Sequence, residues 1–75
     1  MAEPRLDVRL KAARTEAGLT QAELAEWAGV SRKTVNTVEN GVFTPSVLVA
    51  LSLARALDTT VEALFGLADE RRPYW

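Results

Sequence analysis

The stretch Gln21-Ala22-Glu23-Leu24-Ala25-Glu26-Trp27-Ala28-Gly29-Val30-Ser31-Arg32-Lys33-Thr34-Val35-Asn36-Thr37-Val38-Glu39-Asn40 reads as two short helices joined by a tight turn. Two helices that meet at a steep angle need a small side chain where their backbones approach, and Ala25 stands there. The turn needs a residue that accepts positive φ, and Gly29 stands there. Leu24, Ala28, Val30, Val35 and Val38 are apolar and lock the two helices to each other and to the rest of the fold. Arg32, Lys33, Asn36, Thr37 and Asn40 give the second helix a polar outer face.

The boundaries of this block are written in capping residues. Thr20 followed by Glu23 is a capping box, each side chain satisfying the other's backbone amide. Ser31 is the N-cap of the second helix, and Gly41 its stop. Upstream, Leu6, Leu10, Ala13 and Ala17 recur every three to four residues, predicting a helix from about Asp7 that ends at Gly18. Downstream, Phe43-Thr44-Pro45 is a loop, and Pro45-Ser46 opens a helix from Val47 to about Leu57. That helix is apolar over most of its surface, so it is expected at the centre of the bundle. Asp58-Thr59 turns the chain, and Thr60 caps a short helix from Val61 to Phe65. No two-residue alternation is long enough to predict a strand. The expected fold is all-α, a compact five-helix bundle. Residues 1–5 form an extension, 6–67 the domain with its motif at 21–40, and 68–75 a polar tail.

Composition narrows the function. The 75 residues allow one domain with a thin core, and a hydrophobic fraction of 48% is too high for a disordered chain. With neither cysteine nor histidine there is no disulfide, no usual zinc ligand set and no histidine general base. An enzyme is therefore not expected, and neither is a metal or a cofactor. No apolar run reaches the roughly 18–20 residues that cross a bilayer, and Met1-Ala2-Glu3-Pro4-Arg5 has no signal-peptide core, so a cytoplasmic protein is expected. The net charge of −1 does not announce a nucleic-acid binder. Its distribution is more informative. Arg5, Arg9, Lys11 and Arg14 gather near the start, and Arg32 and Lys33 stand with no acid before Glu39.

Four segments together carry a resemblance. They are Leu19-Thr20-Gln21-Ala22-Glu23-Leu24-Ala25, Gly29-Val30-Ser31-Arg32-Lys33-Thr34-Val35, Glu39-Asn40-Gly41 and Pro45-Ser46. The chain resembles the lambda-repressor/Cro-like helix-turn-helix family, also called the xenobiotic-response-element family, over roughly residues 6–67. The resemblance implies a minimal member without a separate ligand-sensing domain. It implies that Gln21 holds a DNA phosphate and that Arg32 and Lys33 enter the major groove, with Asn36 and Thr37 one turn further on. It implies backbone contacts from Thr34 and Asn40, with Ser31 and Phe43 completing the set, and an ion pair between Arg14 and Glu39. The side-chain chemistry agrees. Arg, and less directionally Lys, bonds guanine O6 and N7. Asn suits adenine, and the Thr37 methyl can meet a thymine methyl.

A single recognition helix reads only a few base pairs, so a homodimer on an inverted repeat in double-stranded DNA is expected. The expected dimer surface is the fifth helix and tail: Leu64, Phe65, Leu67, Tyr74 and Trp75. Trp27 is either packed against the turn or exposed to a partner, and Phe43 either supports the loop near DNA or covers the core. The leading reading is a transcriptional repressor. The alternatives are an antitoxin that binds DNA and a protein toxin, and a protein-interaction module that has lost DNA binding.

Overall fold

The computed structural model describes residues 5–68. In chain order the elements are β1 (Leu6–Val8), α1 (Leu10–Glu16), α2 (Gln21–Ala28), α3 (Arg32–Glu39), α4 (Val47–Ala56), α5 (Val61–Leu64) and β2 (Phe65–Leu67). The predicted capping chemistry is in place. The Thr20 hydroxyl accepts from the Glu23 amide at 3.0 Å, and the Thr20 amide donates to the Glu23 carboxylate at 2.9 Å. Ser31, Ser46 and Thr60 each accept a backbone amide at the start of α3, α4 and α5. Gly29 ends α2 at φ +74°. This lets the Val30 amide fold back onto the Ala25 carbonyl at 3.0 Å, closing the turn of the motif.

The all-α expectation is corrected at the two ends of the domain. Residues 6–8 and 65–67 pair as an antiparallel ribbon, with Leu6 opposite Leu67, Asp7 opposite Gly66 and Val8 opposite Phe65. The first helix therefore starts at Leu10 and not near Asp7, and the fifth ends at Leu64, short of Phe65. Arg9 secures the ribbon. Its amide donates to the Leu64 carbonyl at 2.8 Å. Its guanidinium donates to the Ala63 and Glu62 carbonyls at 3.2 and 2.8 Å, satisfying the open end of α5. Gly66 leaves room for that guanidinium, which would lie 3.2 Å from a Cβ at this position.

One core joins the helices and β2. Leu10, Leu24, Val35, Val38, Leu53 and Leu64 are fully buried, with Ala25, Ala28, Ala50, Ala54 and Phe65 between them. The expectation that α4 is a central helix is corrected too. Ala50, Leu53 and Ala54 face the core, but Val47, Leu48 and Leu51 are 76%, 74% and 55% exposed. α4 packs on α2 and α5 along one side only. Among the described residues, the short neighbouring elements leave its other side without cover.

Candidate nucleic-acid interface

The second helix of the motif, α3, buries Val35 and Val38 and turns Arg32, Lys33 and Asn36 outward. Among the described residues, none of these three side chains makes a hydrogen bond or ion pair, so their donors are free. The first turn of α3 carries no acid. Two cations and the unpaired amides of the helix start therefore make this end electropositive. In α2 the corresponding turn carries Glu23.

The threonines and Ser31 are already engaged. Ser31 Oγ accepts from the Thr34 amide at 3.0 Å and lies 2.8 Å from Thr34 Oγ1. Thr37 Oγ1 donates to the Lys33 carbonyl at 2.9 Å, with the Thr34 carbonyl at 3.1 Å. With this proton held by the helix, the Thr37 side chain can offer its methyl group and an oxygen lone pair. The Thr37 carbonyl in turn accepts from the Val42 and Phe43 amides at 2.9 and 3.2 Å, folding the loop after α3 back onto the helix. Asn40, at the end of α3, is exposed. Phe43 is 46% exposed, which favours a loop position over a core-covering one. Trp27 is 65% exposed and does not bury itself against the turn.

A buried polar cluster holds this helix in place. Arg14 Nε donates to Glu39 Oε2 at 2.6 Å and Nη2 to Oε1 at 3.2 Å, while Nη1 donates to the Leu19 carbonyl at 2.9 Å. The side chains of Arg14 and Glu39 are only 10% and 2% exposed. The hydrogen bond to Glu39 pushes the Arg14 guanidinium above its usual pKa, its negative charge adds to that, and burial opposes both. Arg14 stays charged at every physiological pH. Gln21 joins the cluster through Nε2, which donates to Glu39 Oε1 at 3.0 Å. The family resemblance implies a phosphate contact for Gln21; its bond to Glu39, 18 residues away, has no local signal in the sequence. It fixes the side chain between α2 and α3 and leaves a second amide proton and the backbone amide for an outside ligand.

The expected dimer surface divides. Leu64 and Phe65 are 0% and 7% exposed within the chain's own core, so the expectation that they meet a partner is corrected. Leu64 closes α5 and Phe65 opens β2, and both turn inward where the helix passes into the strand. Leu67 is 72% exposed. Tyr74 and Trp75 lie outside the described residues. Among the described residues, no group of three or more Asp or Glu side chains is placed to hold a metal ion, and no helix is long and apolar enough to cross a membrane.

Two helices joined at a left-handed glycine, the second presenting unpaired cations and an amide, are the architecture of a helix-turn-helix unit. A family model described as helix-turn-helix matches residues 10–64, and the chain belongs to this lambda-repressor-like family. The family is one of DNA-binding transcriptional regulators and not of enzymes. The chain is 37% identical over 62 residues to YgzD, an uncharacterized HTH-type transcriptional regulator of Bacillus subtilis, covering 83% of this chain and 94% of that protein. Among solved structures it is similar to the restriction-modification controller protein C.AhdI from Aeromonas hydrophila, with a TM-score of 0.70 and 41% identity over 72% of this chain and 82% of that one. It is also similar to SinR, a master regulator for biofilm formation solved in complex with DNA, with a TM-score of 0.69 and 33% identity over 72% of this chain and 87% of that one.

Proposed function

We propose that this protein is a sequence-specific transcriptional repressor that binds double-stranded DNA as a homodimer on an inverted repeat. The observation that carries the reading is the outward row Arg32, Lys33 and Asn36 on α3, without internal partners among the described residues, on a helix anchored by the Arg14–Glu39–Gln21 cluster. In this reading Arg32, Lys33 and Asn36 bond base edges in the major groove, and the Thr37 methyl meets a thymine methyl. Gln21, Ser31, Thr34, Asn40 and the loop at Phe43 contact the phosphate backbone and set the register. Two copies place their α3 helices about one DNA turn, roughly 34 Å, apart. Repression follows in this reading where the operator overlaps a promoter, because the bound dimer would then exclude polymerase.

The test is selection from fragmented genomic DNA with the purified protein, followed by sequencing and titration of the best site at rising salt. Recovery of one inverted repeat supports the reading. Weak, sequence-indifferent binding that disappears at moderate salt sinks it. A second reading, a protein-binding module, draws on the exposed Trp27, because tryptophan is enriched at protein interfaces. Failure of the DNA selection would turn the search to that surface.

A further inference from the structure

The loop after α3 carries no charge of its own: from residue 40 to residue 54 there is no acidic or basic side chain. With a net charge of −1 the chain also has little long-range pull on DNA, so affinity depends on cations placed beside phosphates. Four cations stand near the start of the chain, and the structure divides them. Arg9 is held by Asp7 and by the carbonyls at the end of α5, and Arg14 is buried against Glu39. Arg5 and Lys11 are exposed and make no side-chain hydrogen bond or ion pair among the described residues. Arg5 is the one beside the loop. Its carbonyl accepts from the Ala68 amide at 2.7 Å, which extends the β ribbon and fixes this end of β1. From there it lines a cleft of about 270 Å³, with Leu6 and Val8 of the ribbon on one side and Gly41, Phe43 and Thr44 of the loop on the other.

We infer that this cleft seats a phosphate of the DNA backbone, with Arg5 pairing its charge and Thr44 donating a hydrogen bond. The inference rests on the DNA-binding reading. Three observations carry it. The loop is folded back on α3 through the Thr37 carbonyl, so the cleft is tied to the outward-facing helix. Thr44 is exposed and its hydroxyl has no partner among the described residues, so a free guanidinium and a free hydroxyl border the same space. No acidic residue lines that space, and the two donors together suit an anionic oxygen, which a guanidinium can grip with two parallel bonds. Arg5 and Thr44 stand on a strand and a loop beside α3, not on the helix itself. The contact therefore sets position and affinity and carries no base preference. It supplies from the other end of the chain the charge that the loop lacks.

The experiment uses the full chain and the DNA site recovered by selection. Binding is titrated between about 50 and 200 mM salt for the wild type, Arg5→Ala, Thr44→Val and Lys11→Ala. Lys11 is the control, an exposed cation of α1 that does not line the cleft, so its removal reports net charge alone. Arg5→Ala should lower the slope of log K against log salt by about 0.9 for each bound copy of the chain, and Lys11→Ala should leave it unchanged. Thr44→Val should keep the slope and weaken binding roughly three- to tenfold per copy, the loss of one hydrogen bond. Neutral methylphosphonates, replacing the phosphates of the site one at a time, then locate the contact. One position per half-site should weaken the wild type and Lys11→Ala and leave Arg5→Ala unaffected. An unchanged slope in Arg5→Ala, an equal change in Lys11→Ala, or no such phosphate position overturns the inference. So does competition by free inorganic phosphate, at constant ionic strength, that disappears in Arg5→Ala, since the cleft would then take the free ion. A selection that recovers no preferred site removes the DNA reading and this inference with it. A preferred site whose salt slope ignores Arg5 removes this inference alone.

Discussion

Arg14 of α1 and Glu39, the last residue of α3, are 25 positions apart in sequence, yet Arg14 Nε meets Glu39 Oε2 at 2.6 Å with both side chains almost completely buried. The pair is the strut between the bundle and its outward-facing helix. Glu39 also accepts from Gln21, so one carboxylate positions residues from three helices. Removing Arg14 strands a buried negative charge. Arg14→Ala is expected to destabilise the fold by about 3–5 kcal/mol in a urea titration. Its DNA binding should fall in proportion to the folded fraction and recover at low temperature in a stabilising osmolyte.

Gly29 holds φ at +74°, and a Cβ there would touch nothing within 4 Å. Any cost of substitution is therefore conformational and not steric crowding. Gly29→Ala should lose about 1–2 kcal/mol, the penalty of a side chain in the left-handed region. A thermal melt should then drop by at least about 4 °C for a domain of this size. Gly29→Asn should lose less, since asparagine enters that region more readily.

Arg32 and Lys33 have no partners among the described residues, so replacing either should leave stability within about 0.5 kcal/mol. Arg32→Ala should cost about 1–3 kcal/mol of discrimination at one base position and relax selection there. If Lys33 touches phosphate instead, Lys33→Ala will weaken every site alike and lower the salt slope by about one. A binding titration against a site library at two salt concentrations separates the cases.

Thr37 gives its hydroxyl proton to the backbone of its own helix. Its methyl group is therefore the part expected to be read against DNA. Thr37→Ser removes that methyl and should cost about 0.8 kcal/mol, or about fourfold in affinity for the preferred site. Thr37→Val keeps a methyl and should bind within a factor of two of the wild type. The opposite order, Ser tolerated and Val not, would assign the contact to the hydroxyl.

Much of this protein is determined within a few residues of each position. Thr20 with Glu23, Ser31 with the Thr34 amide, and Gly29 at its turn each make a bond that spans five residues or fewer, so they can be read directly from the order of side chains. The outward row Arg32, Lys33, Asn36 follows from helical periodicity once Val35 and Val38 are placed inside. Arg14 and Glu39 lie too far apart for any local rule, and their pairing was legible only through family resemblance.

The tertiary structure alone decided the rest. Leu6 to Val8 and Phe65 to Leu67 are three-residue segments too short to show an alternating pattern, and each becomes a strand only because the other end of the domain arrives beside it. The same closure turns Leu64 and Phe65 inward, where the short fifth helix suggested a free surface. The side of α4 bearing Val47, Leu48 and Leu51 looks like core by composition, but burial is set by which neighbours reach a face, and none of the described elements reaches this one. Hydrogen bonds along a helix are local and written in the chain, while strand pairing and the covering of a face depend on segments distant in sequence meeting in space.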